Sequence, residues 1–201
     1  MDMKELLLGT NNKGKVEEMK DILKQMNIRL LTPIMLGLEM EVSEDGDTYE
    51  KNARLKAMAF SKATGLACLA DDSGLEVDLL DGQPGLHSHR WAPLPGATDA
   101  DRRSYLLEKL KGKPRPWLAH FHATIALAHP DGRVRIACGE CTGEIIPDER
   151  GSNGFGYDPI FYFPELDRTM AELGMDEKNR ISHRANALRN AEGVIKELLD
   201  L

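Results

Sequence analysis

Apolar positions along the chain alternate between a period of two and a period of about 3.6, the two periods that separate strands from helices. "ELLLGT" reads as a short buried strand, and "KVEEMKDILKQM" sets Val16, Met19, Ile22, Leu23 and Met26 on one helical face. A second strand falls within "IRLLTPIML". "DTYEKNARLKAMAFSKATG" predicts a helix capped by Asp47, with Glu50 three residues on, ending at Gly65. "LACLA" is then a buried strand with Asp71 and Asp72 at its C-terminal end. "LEVDLL" alternates Leu75, Val77 and Leu79 against Glu76 and Asp78, as a strand with one wet face does. "WLAHFHATIALAH" and "RVRIAC" flank the turn "PDGR" and predict a hairpin. A last helix runs from about Ser182 to the end, with Ala185, Leu188, Ile195 and Leu199 on its buried side. Strands and helices so interleaved predict a mixed α/β fold.

Length and charge narrow this picture. The 201 residues fit one globular domain, 1–201, with room for two lobes around a cleft. A net charge of −7 argues against a duplex-binding surface, which needs a basic face, but allows a small phosphorylated ligand. No apolar run approaches the ~20 residues that span a bilayer, and "MDMKELLLG" lacks the basic region and apolar core of a signal peptide. The expectation is a soluble, cytoplasmic protein with no membrane and no nucleic-acid partner. Three cysteines, Cys68, Cys138 and Cys141, form no disulfide framework; the Cys138 to Cys141 spacing is half a zinc site without a second pair, so strand thiols are expected.

Four stretches carry candidate chemistry. In "GTNNKGKVEE", small and amide side chains precede a helix with Lys13 and Lys15 beside them, a setting in which free N–H groups suit an anion; an Asn-rich turn with solvated lysines has the same local sequence. The loop is not a Walker A motif, because its spacing and terminal Gly-Lys-Ser/Thr are absent. "SEDGD" and "ADDSG" offer oxygen ligands, and Glu44 with Asp72 could hold a divalent ion, although an acidic turn in water explains the first equally well. "GSNGFGYDPIFYF" surrounds Phe155 and Tyr157 with glycines that let backbone approach a flat ligand, or forms a turn whose aromatics join the core. In "DEKNRISHRANAL", Lys178, His183 and Arg184 gather where a helix begins, and cations there call for an anion or an acceptor-rich ligand. The pairs His87 with His89 and His120 with His122 have the spacing of one strand face; with no further ligand nearby they read as polar faces of a hairpin and a cleft rim.

Taken in order, these motifs resemble the inosine triphosphate pyrophosphatase family, which hydrolyses non-standard purine nucleoside triphosphates. The resemblance covers nearly the whole length through "TNNKGK", Glu44, "NARLKA", "ADDSGL", "PGLHSHR", "GFGYDPIF" and "AELGMDEKNRISHRANAL". It implies an elongated mixed β-sheet flanked by helices, two lobes with a central cleft, a homodimer, and magnesium-dependent cleavage of ITP, dITP and XTP to a monophosphate and pyrophosphate. It further implies Asp72 as the base that activates water, Glu44 and Asp72 as magnesium ligands, and Asp71 tuning or sharing their charge. Thr10, Asn12, Lys13, Lys15, Lys56 and Ser73 are assigned to the triphosphate. Phe155, Gly156 and Tyr157 are assigned to enclosing the purine, and Asp158, Lys178, His183 and Arg184 to reading its edge. His87 in "PGLHSHR", where the family usually carries tyrosine, and the histidines of "AHFHAT" depart from the pattern but leave the core motifs intact, bearing at most on the dimer or the cleft rim. Two alternatives stand beside this one: a Maf-type pyrophosphatase acting on modified pyrimidine nucleotides, whose pattern lacks "FGYD" with "SHR", and a nucleotide sensor that binds without cleaving.

Overall fold

A computed structural model describes residues 3–201. Its strands are β1 (Glu5–Leu8), β2 (Arg29–Leu31), β3 (Cys68–Val77), β4 (Trp117–Ala128), β5 (Val134–Ile145), β6 (Phe161–Phe163) and β7 (Arg168–Thr169). Its helices are α1 (Lys13–Leu23), α2 (Tyr49–Thr64), α3 (Asp99–Leu110), α4 (Met175–Ile181) and α5 (His183–Leu199). The strands form one seven-stranded sheet in the order β2-β1-β3-β4-β5-β6-β7. It is mixed: β1 pairs parallel with β2 and with β3, whereas β5 with β6 and β6 with β7 are antiparallel.

The chain divides into two compact units. The first comprises the chain up to Asp72 with Ala123–Gly139 and His183–Leu201; the second comprises Ser73–His122 and Glu140–Ser182. In the first unit, Leu6, Leu8 and Leu69 pack with Met19 and Leu23 of α1 and with Ala187, Leu188 and Ile195 of α5. On the other side of the same strands, Cys68 packs with Phe60 and Leu7, and Ala70 with Ala53 and Ala57 of α2. Adjacent residues of β3 therefore serve opposite layers, as the pleat requires. Gly139 on β5 lets α5 come close: a Cβ there would lie 2.1 Å from the Ala187 amide nitrogen. In the second unit Leu75, Val77, Leu106, Leu110, Phe121, Tyr157 and Phe161 share a core, with the Phe121 and Phe161 rings 4.7 Å apart.

Most sequence expectations hold, with three differences. The aspartates do not end a strand, since β3 continues through them to Val77 and "LEVDLL" is no separate strand. Asp78–Leu80 form a 3-10 turn, leaving Leu79 exposed. Asp47 is not the cap of α2: Thr48 is, its hydroxyl accepting from the Lys51 amide at 3.1 Å, while Asp47 pairs with the Lys51 ammonium at 2.6 Å. The helix ends at Gly65 in the left-handed conformation, as expected.

Candidate active site

In the first unit the two aspartates have separate partners. Asp71 is buried on the α1 and α5 side, where its Oδ2 lies 3.1 Å from Lys15 Nζ and accepts from Arg184 Nε and Nη2 at 3.1 Å each. Arg184 Nη1 also donates to Glu18, so two cations and two carboxylates form a quartet that is buried except for the half-buried Lys15. Burial disfavours the Asp71 charge, but Lys15 and Arg184 outweigh it and hold the carboxyl well below the ordinary range. Burial lowers the pKa of Lys15, with Asp71 opposing. Asp71 Oδ1 is buried without a hydrogen-bond partner among the described residues.

Asp72 faces α2. Its Oδ2 accepts from Asn52 Nδ2 at 3.1 Å, and its Oδ1 lies 3.5 Å from Lys56 Nζ, which donates to Glu44 Oε1 at 2.7 Å. Asn52 and Lys56 lie one helical turn apart, so α2 presents both to the same carboxylate. Asn52 also accepts from the Gly46 amide at 2.8 Å, tying the "EDGD" loop to this face. Burial raises the Asp72 pKa; Lys56 and Lys15 pull it down, Glu44 pushes it up, and the net shift is upward. For Lys56 burial is outweighed by Asp72, Asp71 and Glu44, so its pKa is raised. The lysine ammonium is thus a cation lying near two carboxylates, and those oxygens are the hard ligands magnesium takes, so Glu44 and Asp72 fit a divalent ion.

Before α1, Asn12 caps the helix by accepting from the Lys15 amide at 3.1 Å, and its own amide donates to Thr10 Oγ1 at 3.2 Å. Lys13 opens α1 and is exposed. Ser73 follows Asp72 on β3 and is half-buried. His183 opens α5 and is buried.

In the second unit a different cluster surrounds "GFGYD". Lys178 Nζ donates to Asp158 Oδ2 at 2.5 Å, both side chains being buried, and lies 5.0 Å from the centre of the half-buried Phe155 ring. The Phe155 amide donates to the same Asp158 oxygen at 2.9 Å. Gly154 makes the approach possible: its φ is +75°, and a Cβ there would lie 2.0 Å from Asp158 Oδ2. Gly156 is held through its backbone to Asp99 and Arg103.

Two residues assigned to the base have other partners in the structure. The Tyr157 ring belongs to the core, its hydroxyl donates to the Ser88 carbonyl at 2.8 Å, and burial raises its pKa. The Arg184 guanidinium is buried and donates to Asp71 and Glu18. Sequence reasoning gave Glu18 and Asn52 no role. The available signal was a polar residue on an apolar helix face, Glu18 beside Met19 and Asn52 beside Ala53.

The histidines divide. His87 and His89 lie in a 3-10 segment, Gly85–Arg90, and so do not share a strand face. His120 and His122 do lie on β4, each beside its own carboxylate, Glu76 at 3.1 Å and Glu140 at 3.0 Å. The cysteines form no disulfide, Cys68 and Cys141 being buried and Cys138 exposed, and no group of three His, Cys, Asp or Glu side chains suited to a metal occurs among the described residues.

The sequence family model described as the Ham1 family matches residues 6–193. The chain belongs to the Ham1 family. Among Ham1 relatives, a protein named dITP/XTP pyrophosphatase from Desulforamulus reducens is 45% identical over 194 residues, 96% of each chain. Another of that name from Thermus thermophilus is 48% identical over 187 residues, 92% of this chain and 88% of its own. The structure of a HAM1 protein from Coxiella burnetii superimposes with a TM-score of 0.86 at 41% identity, covering 97% of this chain and all of that one, 100%. The Staphylococcus aureus Ham1 protein gives 0.83 at 38% identity, covering 96% and 99%. The α/β fold with its mixed sheet is therefore the Ham1 fold.

Proposed function

We propose that the protein hydrolyses non-standard purine nucleoside triphosphates, ITP, dITP and XTP, to the monophosphate and pyrophosphate. The observation that carries this reading is Asp72: a carboxylate on a buried strand, its pKa raised, beside Lys56 and Glu44. A base whose pKa moves up towards the working pH takes a proton more readily. Asp72 accepts the proton as water oxygen bonds to the α-phosphorus, and the bond from that phosphorus to the bridging oxygen breaks. Pyrophosphate leaves with the electron pair, and Lys15 and Lys56 offset its charge. Glu44 and Asp72 would hold magnesium, which when bound neutralises phosphate charge. Thr10, Asn12, Lys13 and Ser73 are assigned to the phosphates, with Thr10 and Asn12 already ordered at the start of α1.

For the base, Phe155 offers a face, and Lys178, held by Asp158, offers a donor suited to the acceptor at position 6 of hypoxanthine or xanthine. The names of the relatives support this substrate class. A homodimer acting in the cytoplasm completes the proposal; sedimentation at micromolar concentration tests the dimer. The activity is tested with ITP, dITP, XTP, GTP and ATP in the presence of magnesium, following pyrophosphate. Its release from the first three supports the reading, whereas stepwise orthophosphate release, or binding without hydrolysis as in a sensor, contradicts it.

A further inference from the structure

We infer that α3 is a positioning element for base recognition, acting through the backbone N–H and C=O of Gly156; this rests on reading the loop from Phe155 to Asp158 as the base site. Asp99 and Arg103 stand four residues apart on α3 and therefore face the same side. Asp99 Oδ2 accepts from the Gly156 amide at 2.8 Å, and Arg103 Nη1 donates to the Gly156 carbonyl at 2.8 Å. Both polar groups of one loop residue are thus taken by one helix. Gly156, with φ +62° and no side chain, has only this backbone by which to be held.

The two clamping side chains are themselves fixed. Arg103 uses its Nε and Nη2 on the two oxygens of Glu149, at 2.8 and 2.9 Å. Asp99 pairs through its other oxygen with Arg102, which is buried and donates to the Ala97 carbonyl at 2.6 Å and the His89 carbonyl at 3.2 Å. The start of α3 is fixed by a capping box in which Thr98 accepts from the Asp101 amide and Asp101 accepts from the Thr98 amide. Burial opposes the charge of Asp99, but the Gly156 amide and Arg102 prevail and lower its pKa.

The consequence lies at the neighbours. On one side of Gly156, Tyr157 is anchored in the core and to Ser88; on the other, Phe155 carries the ring beside Lys178 and the amide that holds Asp158. The clamp therefore fixes where the ring and the Asp158–Lys178 pair stand relative to each other. A purely mechanical support for α3 has no reason to take both backbone groups of one residue in the base loop.

The experiment compares KM and kcat for ITP and ATP in the parent, Arg103→Ala, Arg103→Lys, Asp99→Asn and Lys178→Met, with thermal unfolding followed for each. Arg103→Ala is expected to raise KM for ITP roughly tenfold with kcat within about threefold, and to narrow the ITP-to-ATP ratio of kcat/KM. Arg103→Lys, which keeps a donor, recovers part of the loss. Asp99→Asn, which leaves the Gly156 amide a weaker, uncharged acceptor, is expected to raise KM for ITP about threefold with kcat kept and reports even if Arg103→Ala fails to fold; a parental KM and ratio there overturns the role of α3. If Lys178→Met leaves the ITP-to-ATP ratio unchanged, the base-site reading itself fails. If Lys178→Met collapses that ratio while Arg103→Ala keeps the parental KM and ratio, or loses only kcat in step with thermal stability, the role of α3 is overturned and the base site stands.

Discussion

Asp71 and Asp72, adjacent on β3, point to opposite faces and meet different partners: Asp71 takes Lys15 and Arg184, and Asp72 takes Asn52 and lies near Lys56. Two neighbouring carboxylates can be buried because the pleat separates them and each face supplies its own compensation. One is held well below the ordinary pKa and the other above it, the separation of roles that acid–base chemistry needs.

Asp72→Asn is expected to lower turnover by ~10²-fold or more, since in the proposed reaction it removes the proton acceptor and weakens a magnesium ligand. The fold survives, because an amide still accepts from Asn52. Stability follows from the sign of the shift: Asp72 binds its proton more tightly folded than unfolded, so its contribution is favourable below the unfolded value and is lost as pH rises through the folded one. At pH 7 the uncharged variant should therefore melt no lower than the parent by calorimetry, and a clearly lower Tm would argue against the upward shift.

The same carboxyl sets the acid limb of the pH profile. kcat/KM should fall as Asp72 protonates, raising magnesium, which favours the charged carboxylate, should move the limb to lower pH, and the limb should be absent from the residual activity of Asp72→Asn. Asp71 behaves oppositely. Its depressed carboxyl stabilises the fold above the unfolded pKa and that stability is lost only as pH falls through the folded value, so unfolding in acid should begin below the inactivation limb.

Arg184→Met leaves Glu18 and Asp71 without their shared cation, with Lys15 and the more weakly acting Lys56 to offset Asp71. Breaking a buried pair from one side costs about 3–5 kcal/mol, which at this chain size lowers Tm by roughly 6–20 °C. Activity should fall for ITP and ATP alike, keeping their ratio, which separates a counter-ion from an edge reader. Adding Glu18→Leu should recover part of the stability, and a double-mutant cycle by denaturation measures the coupling.

Gly154→Ala forces a Cβ onto Asp158 Oδ2 at a backbone conformation that favours glycine. The Asp158–Lys178 contact must open, so KM for ITP should rise about tenfold with kcat largely kept. Equal KM in parent and variant, measured under the same magnesium, would detach this pair from the substrate.

Dialysis against EDTA should abolish pyrophosphate release, and magnesium should restore it, with Glu44→Gln needing roughly tenfold more of the ion for half-maximal rate. Full activity in chelator would remove Glu44 and Asp72 from metal binding.

How far these elements could be read in sequence depends on the range of the forces that make them. The faces of α1 and α5 follow from local periodicity, and Val16, Met19, Ala185 and Leu188 pack as expected. The cap of α2 was a choice between two good neighbours, Asp47 and Thr48, which propensity does not separate. Continuation of β3 through its aspartates depends on Lys15, Lys56 and Arg184, from three helices, so local rules against burying carboxylates pointed to a strand end instead. Tyr157 is similar: a glycine-rich loop with aromatics looks alike whether a ring faces ligand or core, and only its bond to Ser88 decides.

The alternation at β3 also governs how the gene can vary. At Asp71 the requirement is charge balance inside a closed group, so coordinated replacement of Asp71, Lys15, Glu18 and Arg184 by packed apolar residues could keep the fold while removing Lys15's charge from the site. At Asp72 the proposed chemistry leaves no such route, since no partner's substitution restores a lost base. Loss of one aspartate codon would do worse than either, because every residue following in the strand would turn to the opposite face, carrying Leu75 and Val77 out of their core.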